Sequence, residues 1–134
     1  MNLKLGISLS DDKVWANGLL VFSKIFFHLE KCLDQFPSLA DLDIEGMRRT
    51  LAFESDLDFF FGPSWRAKED PEPVKNYIKH LESLESEPLL LIAYIYHLYM
   101  GLLSGGQLLS KKRQFTGADP NAKGNAVTTF EGEF

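Results

Sequence analysis

Three histidines, a single cysteine and a glycine-rich apolar run are the residues here whose types could carry chemistry. His28, His80 and His97 make no His-x-x-x-His pair, and Cys32 has no partner for a Cys-x-x-Cys pair, so the sequence writes no metal motif. Asp56 and Asp58 lack general acid–base company and Ser104 has no base beside it, which leaves hydrolase chemistry unsupported. The run at 94–107, YIYHLYMGLLSGGQ, is of another kind. It reads as an apolar helix holding Gly101, Gly105 and Gly106, and an interior glycine costs a helix roughly 1 kcal/mol relative to alanine. Gly101 and Gly105 are four apart, so they share a face and leave a strip of bare backbone. Such a strip serves close helix packing, a kink, or a flat ligand that must touch the backbone. His97 lies four residues before Gly101, broadly on that face. It is either a ligand for a metal held there or a core histidine bonded to a backbone carbonyl.

The segment resembles the distal helix of the haem oxygenases, whose hallmark is a Tyr-(Leu/Met)-Gly-Asp-Leu-Ser-Gly-Gly-Gln run. Upstream, Glu54, Asp56, Leu57 and the stretch 59–65, FFFGPSW, are similar to the family's Glu-x-Asp-Leu-x-Phe-x-x-Gly-Pro-x-Trp, with Asp56 expected to brace the loop around Trp65. Weaker likeness runs from about residue 13 to 130, with Leu29-Glu30 and Pro88-Leu89-Leu90 in register. The resemblance implies an all-α haem-oxygenase-like helical bundle, present in part, with a kinked Gly-rich distal helix. It implies haem as both substrate and prosthetic group, opened oxidatively to biliverdin, carbon monoxide and ferrous iron. Electrons would come from an NADPH-dependent reductase, and the location would be intracellular, in the cytoplasm or on the cytoplasmic face of the endoplasmic reticulum. Tyr96, Gly101, Ser104, Gly105 and Gly106 fall in the haem-contacting run, and Lys111 falls at the basic end where the family meets its reductase.

Several positions depart from the family. Its proximal histidine stands on a helix before the matched segment, and none of His28, His80 and His97 falls at that place. Leu102 occupies the position of the distal aspartate, Leu98 that of an arginine and Phe26 that of a tyrosine. In the family those polar groups organise water and deliver protons. Deleting one member of a buried polar set strands the rest at about 1–3 kcal/mol per group, whereas replacing the whole set by apolar side chains can be neutral or stabilising. Leu98, Leu102 and Phe26 form such a complete swap. The swap predicts a site that admits haem but turns it over weakly or not at all, with His97 as the iron ligand from the glycine side. The alternative from another class is a non-catalytic haem or tetrapyrrole binder, or an interaction protein on the old fold. A different small apolar ligand in the same pocket is a third reading.

The elements that must position these residues follow from periodicity and composition. At 134 residues, 45% hydrophobic and with 11 Phe, the chain can build one phenylalanine-rich core. A net charge of −5 argues against nucleic acid, since phosphate binding needs a basic face. The lone Cys32 excludes an internal disulfide and suits a reducing compartment. No signal peptide is visible, and the apolar run 89–103 spans 15 residues, short of the ~20 that cross a bilayer, so it reads as a core helix. Helical spacing predicts a first helix over 11–35 capped by Ser10, and a second over 43–60 with Ile44, Met47, Leu51, Phe53 and Leu57 inward. A charged loop at 64–73 follows, then a third helix over 74–83. A fourth, capped by Ser86, runs to 114 with a bend at Gly105-Gly106. The partial domain is expected over 1–116, with a disordered tail over 117–134.

Overall fold

The computed structural model describes residues 11–115 and 123–130, and every regular element among them is helical. Helix α1 spans Asp12–Gln35. Its cap is Asp11, whose carboxylate accepts from the amides of Lys13 and Val14 at 2.9 and 3.3 Å. Such a bond satisfies amides that the first turn leaves free and contributes about 1 kcal/mol. Ser10, the expected cap, lies outside the described residues. Pro37 ends α1 as expected and opens a 3-10 turn, Pro37–Leu42, that buries Leu39.

Helix α2 begins at Thr50, seven residues later than the periodicity predicts, and runs to Phe61. The stretch 43–49 is instead a loop. Asp43 grips the Arg48 guanidinium through two 2.8 Å bonds, and Gly46 takes φ +83°, a left-handed conformation that favours glycine. Ile44 and Leu51, both expected inside, are exposed, while Met47, Phe53 and Leu57 are buried. The opening of α2 is capped from outside: Glu30 on α1 accepts from the amides of Arg49 and Thr50 at 2.9 and 3.1 Å. Gly62, at φ +68°, and Pro63 stop the helix as expected.

A 3-10 turn, Pro63–Ala67, sits inside the predicted loop and buries Trp65. Helix α3 spans Glu72–Ser83, with Pro73 in its first turn, where a missing amide proton costs nothing. A further 3-10 turn, Pro88–Leu91, rather than a Ser86 cap, leads into α4, Ile92–Phe115. The three glycines of α4 neither end nor interrupt it.

Helix α1 is central, packing on α2 and α3, while α4 packs on the turns. The phenylalanine load is spent here: Phe26 lies 5.3 Å from Phe53 and 5.0 Å from Tyr99, ring centre to ring centre. The composition-based tail needs correction where it is described. Ala126–Thr128 forms a 3-10 turn, and Val127, 1% exposed, belongs to the core between α2 and α4. Its amide and that of Ala126 both donate to Asp56 at 2.9 Å. Polar composition hides this, because the burial rests on one valine and on partners some 70 residues away. Residues 117–122 and 131–134 of the predicted tail lie outside the described residues.

Pro88–Arg113 is 26 residues long with a mean hydropathy of 1.5 in its most apolar window, so by length and composition it could cross a membrane. That extends the 15-residue run of the sequence reading. Leu91, Ile95 and Tyr99 pack into the core cluster, but only 22% of the apolar window is buried, so the stretch puts one side into the core and is not the buried core helix expected.

Candidate functional site

Helices α1 and α4 meet at two places. Near one end the rings of Phe26 and Tyr99 pack edge to face. Near the other, Arg113 pairs with Asp12 at 2.9 Å and lies 4.4 Å over the Trp15 ring. Between these contacts runs a groove of about 520 Å³, within the ~300–1,000 Å³ range of small-molecule sites. From α1 it takes Trp15, Gly18, Leu19, Phe22 and Phe26, which recur at i, i+3, i+4, i+7 and i+11 and therefore share one helix face. From α4 come His97, Leu98, Gly101, Leu102, Gly105 and Gly106. Phe53 of α2 and Val127 and Thr128 of the last turn also line it.

The glycines decide what this groove is. A Cβ added at Gly18, Gly101 or Gly105 would meet no described atom within 4 Å, so none of the three serves close helix packing. Gly106 differs: its Cβ would come within 3.2 Å of Leu102 and 3.6 Å of Thr128. Three bare backbone positions on two facing helices thus open onto one apolar space. Trp15 adds a buried indole Nε1–H without a hydrogen-bond partner among the described residues.

The expected site residues divide. Gly101, Gly105, Gly106 and His97 converge on the groove, and so do Leu98, Leu102 and Phe26, the three apolar residues set against the family pattern in the sequence. Tyr96 does not line it; its side chain is exposed, 64% accessible. Ser104 is also outside, its hydroxyl donating at 2.7 Å to the Met100 carbonyl one turn back. Lys111 is exposed near the end of α4. His80 is exposed, with Nε2 2.7 Å from the Tyr94 hydroxyl. His28 is mostly buried and approaches Glu85 at 3.0 Å. Burial, then a hydrogen bond to Glu85, pushes the Cys32 thiol up to about 12, which removes it as a nucleophile.

Two residues change roles. Asp58, rather than Asp56, braces the loop around Trp65: it accepts from the indole at 2.7 Å and from Arg66 at 2.6 Å. Asp56 is buried and holds the Ala126–Thr128 turn, with burial pushing its carboxyl above the usual range. Of the α1 half of the groove, sequence reasoning named only Phe26. Gly18, an interior helix glycine spaced with Trp15 and Phe22, was the signal for the rest.

The haem oxygenase family model matches residues 9–133, nearly the whole chain. The chain belongs to the haem oxygenase family. It is 39% identical to heme oxygenase 1 of Gallus gallus over 89 residues, covering 64% of this chain and 30% of that protein. With the heme oxygenase of Rhodella violacea it shares 39% over 117 residues, covering 86% of this chain and 48% of that one. It therefore spans less than half the length of these relatives. Among solved structures, heme oxygenase 2 from Chlamydomonas reinhardtii without heme superposes with a TM-score of 0.84 at 28% identity, covering 97% of this chain and 65% of that chain. Heme oxygenase-2 from Synechocystis in complex with heme and NO gives 0.82 at 27%, covering 93% and 55%.

Proposed function

We propose that the groove between α1 and α4 binds haem and that this chain holds it with little or no ring-opening turnover. The observation that carries this reading is the empty space beyond Gly18, Gly101 and Gly105, which gives a flat macrocycle bare backbone to rest on. The residues fit the group: an apolar lining accepts the ring, and the unpartnered Trp15 Nε1–H can donate to a polar substituent. Haem, when bound, supplies the redox-active iron and is itself the skeleton that the family oxidises.

The chain's own residues orient the ring, but they carry few protons. Among the described lining residues only Trp15, His97 and Thr128 are polar, and no carboxylate is present. The Thr128 hydroxyl already donates to the Asn125 carbonyl. A proton relay needs a titratable group within hydrogen-bond reach of the reacting atoms, and Leu98, Leu102 and Phe26 stand where one would be built. His97 is the one imidazole on the lining, and we assign it to the iron. Lys111, exposed near the end of the same helix, is the reductase contact in this reading.

Haemin titration followed in the Soret region tests the proposal. A saturable band is expected, stable to ascorbate, shifted in His97→Ala and lost when Gly101→Leu and Gly105→Leu fill the groove. No band, or a band unaffected by filling the groove, refutes the site. Decay of the band to biliverdin would instead establish ring opening, the reading that family membership favours. Lys111→Glu should slow iron reduction by reductase but leave reduction by dithionite unchanged.

A further inference from the structure

We propose that His28 and Cys32 of α1, together with Glu85 from the connection between α3 and α4, bind a divalent cation of the zinc class. His28 and Cys32 are four residues apart, one turn along α1, so both side chains leave the same face. Glu85 reaches them from 53 residues beyond Cys32. Its Oε1 lies 3.0 Å from His28 Nε2 and 3.3 Å from Cys32 Sγ, and the three donor atoms all fall within 4.8 Å of one another. A tetrahedral ion with bonds of 2.0–2.3 Å spaces its donors about 3.3–3.8 Å apart, so small side-chain movements admit it.

His28 Nε2 is buried, and Glu85, though close, does not complete a hydrogen bond to it. A cation between them would use that lone pair. The donors are one imidazole nitrogen, one sulfur and one carboxylate oxygen, a set that suits zinc and its spectroscopic substitute cobalt better than calcium or magnesium. Binding replaces the thiol S–H bond by a sulfur–metal bond and releases the proton to solvent. Thiolate and carboxylate then supply two negative charges to a doubly charged ion, opposed by the exposed Lys31. Cys32 is 1% exposed, while Glu85 keeps 26% of its side chain accessible, so a fourth position stays open to water on the Glu85 side. The cluster lies past Phe26 along α1 and shares no residue with the groove. It is thus independent of the haem reading, and it would staple α1 to the chain that leads into α4.

The test is a cobalt titration of the purified, chelator-washed chain. Cys32 is the only cysteine, so a thiolate-to-cobalt charge-transfer band can arise from no other residue. Saturation at one equivalent, with tetrahedral visible bands and displacement by zinc, is the expected result. His28→Ala and Glu85→Gln, both at partly accessible positions, should keep the fold by circular dichroism and weaken cobalt binding at least about tenfold. Cys32→Ser should lose the band. Absence of a band in the wild-type chain overturns the proposal. So does a band whose strength and midpoint are unchanged in both His28→Ala and Glu85→Gln, because that would be coordination by the thiol alone.

Discussion

Two regions that share α1, one an open groove and the other a buried seam, treat polarity in opposite ways. The groove against α4 is lined by leucine, phenylalanine, tryptophan and bare backbone, and contains no carboxylate among its described residues. The seam between α1, α2 and the Ala126–Thr128 turn is dense with charge. There Glu30, 3% exposed, accepts from the amides of Arg49 and Thr50, the Thr50 hydroxyl and the Tyr99 hydroxyl. Arg49 donates at 2.8 Å to the Gly46 carbonyl and at 2.9 Å to that of Thr129, and lies 3.9 Å over the Phe130 ring. Asp56 takes two amides of the turn. Polar groups persist where they tie elements together, and their partners are complete. The groove, by contrast, has few polar side chains among its described residues, so the polar groups that hold the fold together lie apart from it.

The largest test of that division is Glu30→Ala. It strands three or more donors at about 1–3 kcal/mol each, so urea denaturation should show a loss of several kcal/mol or no folded state. A loss below about 1 kcal/mol would show that the seam is not structural. Asp56→Asn should cost less, about 1–3 kcal/mol, because one amide can still find the retained carbonyl oxygen. The groove should answer with the opposite sign. Gly101→Ala and Gly105→Ala meet open space and should raise stability by about 0.5–1 kcal/mol in the same assay. A fall at either position would mean that the backbone there is packed. Gly106→Ala, against Leu102 and Thr128, should gain nothing.

The smallest effect is a pH dependence that separates the regions. Burial first, and then Glu30, raise the Tyr99 hydroxyl above its ordinary value of 10.0. The folded chain keeps that proton while the unfolded chain gives it up, so the contribution is complete below about pH 10 and is lost as pH rises further. Thermal melts should show this alkaline slope in the wild type. It should flatten in Tyr99→Phe, which starts from a lower midpoint, and be unaltered by groove variants such as Gly105→Ala.

Helix identity and the glycine face were readable because period and interior glycine act locally. The α4 half of the groove followed from Gly101 and Gly105, and Gly18 carried the same signal on α1 without a motif to draw attention to it. The start of α2 was misplaced because the spacing of Ile44, Met47 and Leu51 imitates a helix, while the real boundary is set by Glu30, twenty residues earlier. The bracing role expected of Asp56 falls to Asp58 for a related reason: a two-residue step turns a helix by about 200°, and only tertiary structure shows which carboxylate faces inward. The burial of Val127 had no local signal at all.

The clasp that holds Val127 also sets an order in time. Glu30 and Thr50 are 20 residues apart, whereas Asp56 reaches Val127 across 71 and Arg49 reaches Thr129 across 80. Two doublings of loop length add only about 1.2 kcal/mol of closure entropy, yet that cost falls before the long-range contacts can repay it. The pairing of α1 with α2 should therefore precede the docking of Val127 and Thr128, which floor the groove. Amide exchange should find Val127 opening sooner than Leu29. A half-folded chain already has the Glu30 part of its charged seam but lacks the Asp56 and Arg49 contacts to the turn, so the α1–α4 groove is complete only in molecules that have finished folding.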